Sequence, residues 1–74
     1  MDKSIEIKKL AKRIKSLRIK KGYNSYETFA FENGIHRAQY GRYEVGTDLQ
    51  YTSLLKIANA FDMTLEEFFS EGFD

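Results

Sequence analysis

Phe31-Glu-Asn-Gly-Ile-His-Arg-Ala-Gln-Tyr-Gly-Arg-Tyr-Glu-Val-Gly46 holds three of the chain's five glycines, yet its apolar residues keep a helical spacing. Asn33 and Gly34 both tolerate a left-handed backbone, which reads as a tight turn. Tyr40 and Tyr43, one turn apart, form the inward stripe of a short helix over about His36–Glu44 that Gly46 closes. Just upstream, Ser25-Tyr-Glu-Thr28 offers a capping hydroxyl, and Glu27 in the first turn suits the positive end of a helix dipole. A helix over about 25–32 follows, with Phe29 and Ala30 facing inward.

Two short helices joined by a glycine-containing turn form a helix-turn-helix. Its requirements are physical. The first helix needs a small residue where the second crosses it, and Ala30 is that residue. The turn needs positive φ, which Gly34 adopts without cost. An apolar plug must fill the angle between the helices, and Ile35 follows the turn directly.

The rest of the chain is helical too. Ile7, Leu10, Ile14 and Leu17 recur at three- and four-residue steps among lysines and Arg13, predicting an amphipathic helix over about 4–21. Ser4 or Asp2 caps its start, and Gly22 stops it. Tyr51, Leu54, Leu55, Ala58 and Phe61 predict a helix over about 50–61. Thr64-Leu-Glu-Glu67 is a capping box opening a last helix over about 64–71, with Leu65, Phe68 and Phe69 as its apolar face and Gly72 at its end. No stretch alternates as a strand does, and there is no proline. The expected fold is all-α, one compact five-helix domain over residues 1–74.

Composition narrows the function. At 42% hydrophobic and 31% charged residues the chain reads as an ordinary globule, neither disordered nor apolar enough to span a membrane. The charged N-terminus lacks the apolar core of a signal peptide, so a cytoplasmic protein is expected. Without cysteine and with one histidine, no metal site or other cofactor is expected. No nucleophile is paired with a base, and no loop is built to cradle phosphate, so no enzymatic activity is expected. A net charge of +1 hides a strong asymmetry. Residues 1–21 carry nine Lys/Arg against two acids, and residues 22–74 carry three against nine. A near-neutral total is therefore no argument against a polyanionic partner.

These residues taken together resemble the phage-repressor and Cro-type helix-turn-helix proteins, the XRE family. The matching positions are Arg18 and Gly22, Phe29-Ala30, Gly34-Ile35, Arg42-Tyr43-Glu44 with Gly46, Leu54-Leu55-Lys56-Ile57-Ala58, and Leu65-Glu66-Glu67-Phe68-Phe69, covering about residues 10–69. The resemblance implies a lambda-repressor-like bundle whose third helix enters the major groove of double-stranded DNA, usually as a homodimer on a palindromic operator. It further implies a partly buried ion pair between Arg18 and Glu44, and phosphate contact from Ser25 and Tyr26. Of the basic first helix, it implies that only the end near Lys20 and Lys21 approaches the phosphates.

The chain departs from the family at several points. The link Gly22-Tyr23-Asn24-Ser25 is one residue longer than usual. Asn33 replaces an aliphatic residue, a loss that Phe31 is expected to offset. His36 stands where a Ser or Thr normally caps the third helix. Val45 and Thr47 occupy positions where many members place Arg, Lys or Asn against phosphate.

With Tyr40 and Tyr43 inward, positions 37, 38, 41 and 42 face outward. Arg37, in the first turn, is placed to read guanine, and Arg42 to hold phosphate. Ala38 can touch only a thymine methyl or pack passively. Gln39 and His36 reach either DNA or solvent, and Tyr26 either a phosphate or its neighbours. Gly41, the oddity inside a helix, either admits close approach of backbone to DNA or is merely tolerated. Phe68, Phe69 and Phe73 exceed what a thin core absorbs, and part of this cluster is expected at a dimer contact; the alternative is that Phe68 and Leu65 close the core while Phe73 frays. Lys8, Lys9, Lys12 and Lys15 are expected on a solvated face. The leading expectation is a sequence-specific DNA-binding repressor. The alternatives are an antitoxin-like protein-interaction module and the DNA-binding part of a longer protein.

Overall fold

The computed structural model describes all residues, Met1–Asp74, as five helices without strands. They are α1 (Lys3–Lys20), α2 (Tyr26–Glu32), α3 (Arg37–Val45), α4 (Tyr51–Ala60) and α5 (Leu65–Phe68). Asp2, not Ser4, caps α1, its carboxylate accepting from the Ser4 amide at 2.9 Å and the Ile5 amide at 3.4 Å. Ser25 caps α2 by accepting from the Thr28 amide. The turn between α2 and α3 runs through Gly34 at φ 68°, and the Ile35 amide then donates back to the Ala30 carbonyl at 2.8 Å.

The core is aromatic at its centre. Phe29, fully buried, has Phe61, Tyr40 and Tyr23 at ring-centroid distances of 4.9, 5.1 and 5.2 Å. Ile14 and Leu17 of α1, Ala30, Ile35, Tyr43, Ile57, Ala58 and Phe68 close around this cluster. Burial of these side chains, at about 25 cal/mol per Å² of apolar surface, is the main force holding helices too short to persist alone.

Three expectations fail here. On α4 the inward stripe is Leu54, Ile57, Ala58 and Phe61, whereas Tyr51 and Leu55 are exposed. Phe31 does not replace the aliphatic missing at Asn33, being 73% exposed. Instead Asn33 turns its own side chain onto the Phe29 carbonyl at 2.8 Å, so a polar residue seals the end of α2. Finally, α5 ends at Phe68 rather than near residue 71. Its Thr64–Glu67 capping box is formed in both directions, at 2.9 and 3.1 Å. At the other end the helix is terminated from outside. Arg13 of α1 donates Nε–H to the Phe68 carbonyl at 2.8 Å and Nη2–H to the Glu67 carbonyl at 3.1 Å. Carbonyls claimed by a guanidinium need no further turn of helix.

Phe68 is thereby fixed in the core, with no exposed surface. It cannot serve in a dimer contact, because the ring closes the space between α1, α4 and α5. Phe69, 42% exposed, and the partly buried Phe73 meet edge to face outside it, with ring centroids 4.8 Å apart.

Candidate nucleic-acid interface

The surface of α3 is built on a clamp. Arg18 of α1 donates Nε–H to Glu44 Oε2 at 2.8 Å, Nη2–H to Glu44 Oε1 at 3.0 Å, and Nη1–H to the Tyr23 carbonyl at 2.7 Å. The fork ties α1, α3 and the link before α2 together. The hydrogen bond to Glu44 raises the Arg18 guanidinium above its ordinary pKa, so the pair stays charged. Beside it, the Tyr40 hydroxyl is buried without a hydrogen bond. Burial first, and the Glu44 carboxylate second, push that phenol well above its usual range.

Held this way, α3 turns His36, Arg37, Ala38, Gln39 and Arg42 to solvent, with Gly41 half-buried and Tyr40 and Tyr43 buried. Its start is electrostatically unusual. His36 makes no side-chain cap, no acid lies in the first turn, and Arg37 adds a cation at the positive end of the dipole. For a lone helix this costs stability. For a surface that receives an anion it leaves the first turn of α3 free of acids of its own. Arg37 has only a loose, exposed partner, Glu27 at 4.0 Å, and such pairs are worth about 0–1 kcal/mol.

Tyr26, Ala38, Gly41, Arg42, Val45 and Thr47 line one shallow cleft of about 580 Å³, joined by Lys15 and Arg18 of α1 and by Glu44. The structure thus brings Tyr26 and the outward face of α3 together. Gly41 has a specific cause within it. A Cβ on Gly41 would stand 2.8 Å from Tyr26 Cε1, so the missing side chain makes room for that ring, which stacks on Tyr40 at 6.5 Å. Ser25 spends its oxygen on the α2 cap but keeps its hydroxyl hydrogen.

The basic end of α1 packs against the turn between α4 and α5. Lys21 donates to the Ala60 carbonyl at 2.9 Å and sits 3.6 Å from Asp62, while Lys20 and Lys21 line a cleft with Leu17, Phe61 and Met63. They lie toward the α4–α5 turn. Lys15 is exposed, as expected, and lines the same cleft as Arg42.

Two buried residues stand outside the inward stripes that the sequence predicts. Arg13 looked like one more surface cation, yet it is buried and caps α5. Its signal was positional, three after Leu10 and four before Leu17 on the inward stripe. Ile57 had the same signal, three after Leu54 and four before Phe61.

No group of three or more His, Asp or Glu side chains is arranged to hold a metal, and no helix is long and apolar enough to cross a membrane.

Against known proteins, the helix-turn-helix family HTH_3 matches residues 14–68. Among solved structures the chain is similar to the restriction-modification controller protein C.AhdI from Aeromonas hydrophila. The two share 35% identity over 88% of this chain and 98% of that one, with a TM-score of 0.76. No curated protein matches.

Proposed function

This chain belongs to the helix-turn-helix family HTH_3, and we propose that it is a sequence-specific, double-stranded DNA-binding transcription regulator. The single observation that carries the reading is the face of α3. Arg37 and Arg42 stand exposed on a helix whose positive end has no acid and no side-chain cap, and which a buried ion pair holds rigid from behind. A rigid helix presenting donors at its first turn is what reading base edges requires.

In this reading Arg37 bonds bidentately to guanine, a contact worth about 1–3 kcal/mol of discrimination. Arg42, His36 and Ser25 position the backbone. Gln39 and Ala38 border the bases, and Tyr26 enters the groove edge from its seat over Gly41. The protein occupies its operator as a repressor, in the cytoplasm, and does so as a homodimer on a palindromic site. What supports a dimer is the apolar cleft of about 600 Å³ lined by Met1, Ile7, Leu10, Phe69 and Phe73. The same cleft supports the second reading, a module that holds a protein partner. Binding of duplex DNA by wild type and Arg37→Ala separates them. A preferred sequence bound by wild type and lost or relaxed in the variant supports the regulator, while absence of duplex binding defeats it.

A further inference from the structure

The nine Lys and Arg side chains of residues 1–21 divide into two groups in space. Five are engaged. Lys3 pairs with Asp48, Lys9 with Glu6 and Arg18 with Glu44, while Arg13 caps α5 and Lys21 holds the α4–α5 turn. Lys8, Lys12, Lys15 and Lys20 make no ion pair.

Three of these four lie in series. Lys8, Lys12 and Lys15 follow one another at four- and three-residue steps, so they share one stripe of α1. All three are exposed. Lys20 belongs to another side, with Phe61 and Met63. The stripe has an origin. Lys15 borders the cleft of Tyr26, Ala38, Gly41, Arg42 and Thr47, and the other two lead away from it toward the start of α1. At about 1.5 Å per residue, Lys8 and Lys15 are about 10 Å apart along the axis. One DNA strand carries a charge every ~3.4 Å of duplex axis, so that length faces two or three phosphates.

No acid on α1 opposes the stripe, for Asp2 is spent on the cap and Glu6 on Lys9. Like charges at these spacings destabilise a free helix. A duplex backbone laid along them would turn that repulsion into attraction.

We propose that Lys15, Lys12 and Lys8 form a phosphate track on α1, continuing the α3 interface along one DNA strand beyond the base pairs that α3 reads. The inference rests on the DNA-binding reading above. Lysine is a compact charge on a flexible stem, so the track adds affinity for any sequence and no base preference.

The test is duplex binding titrated against salt for wild type, for Lys8→Gln/Lys12→Gln/Lys15→Gln, and for a control, Lys9→Gln/Lys20→Gln. The triple variant is expected to lower the slope of log affinity against log salt by about 2–3 per bound protomer, at about 0.9 per phosphate, and by about twice that for a dimer on its operator. It should weaken preferred and random duplexes by the same factor and melt no lower than wild type, while the control keeps the wild-type slope. A triple variant with the wild-type slope, or a control that loses as much per charge, overturns the track. Salt-dependent binding by wild type in those cases leaves the regulator reading standing. A wild type that binds no duplex overturns both.

Discussion

Arg18 and Glu44 meet in a two-pronged ion pair, at 2.8 and 3.0 Å, with side chains only 7% and 8% exposed. Arg18→Met keeps the stem of the side chain and strands the Glu44 carboxylate. It should cost about 3–5 kcal/mol in urea unfolding. Arg18→Met/Glu44→Leu should recover part of that loss, because no charge is then left alone. Strictly additive single effects would contradict the pairing.

Gly41 and Tyr26 form a size-matched pair. Alanine should favour the helix by about 1 kcal/mol over glycine. Here its Cβ would meet Tyr26 Cε1 at 2.8 Å, and the ring must swing off Tyr40. Gly41→Ala should therefore gain little or no stability in the wild-type background and the full gain in a Tyr26→Ala background. DNA affinity should fall in Gly41→Ala because Tyr26 leaves the cleft. Equal gains in both backgrounds, read by thermal melts, would separate the two residues.

Tyr40 predicts the alkaline limit of the fold. Its phenol is raised in the folded state, chiefly by burial. A raised group contributes its full share below the unfolded pKa, near 10, and loses it as the pH climbs beyond. Tyr40→Phe removes a hydroxyl that has no hydrogen-bond partner. The variant should match or exceed wild type at pH 7 and lose less stability above about pH 10. The Tyr23 phenol, also raised, by its hydrogen bond to Glu32, titrates in both proteins and cancels in the comparison. Parallel curves for the two proteins would exclude Tyr40 as the cause.

Arg13 predicts a local effect. Arg13→Met keeps apolar volume but strips the Phe68 carbonyl of its donor, while the Glu67 carbonyl keeps those of Ser70. The cost should be about 1–3 kcal/mol. Amide exchange should quicken over residues 65–69 more than in α2 and α3. Uniform exchange changes would mean that the guanidinium does not hold α5.

What the sequence made legible was whatever periodicity and turn chemistry dictate. Ala30, Gly34, Ile35, Tyr40 and Tyr43 each had a steric job in the helix-turn-helix, and each stands where that job puts it. What it hid depended on the third dimension. Arg13 and Lys15 are two basic residues of one helix; spacing puts Arg13 on the inward stripe, but not which carbonyls it meets, nor which cleft Lys15 borders. Phe68 and Phe69 are neighbours, and a rotation of about 100° decides that one is core and the other surface. The length of α5 is not legible in its own residues, because its end is set by Arg13 of α1. Gly41 was legible as an anomaly, but its cause is a ring from α2.

The central claim is that the face of α3 around Arg37 and Arg42 reads duplex DNA. It is tested most directly by selecting bound sequences from random duplex DNA, with wild type and with Arg37→Ala, at two salt concentrations. A palindromic motif for wild type, a steep loss with salt, and relaxation of the motif at a guanine in Arg37→Ala are the predicted result. No enrichment for wild type, or an unchanged motif in the variant, would contradict it.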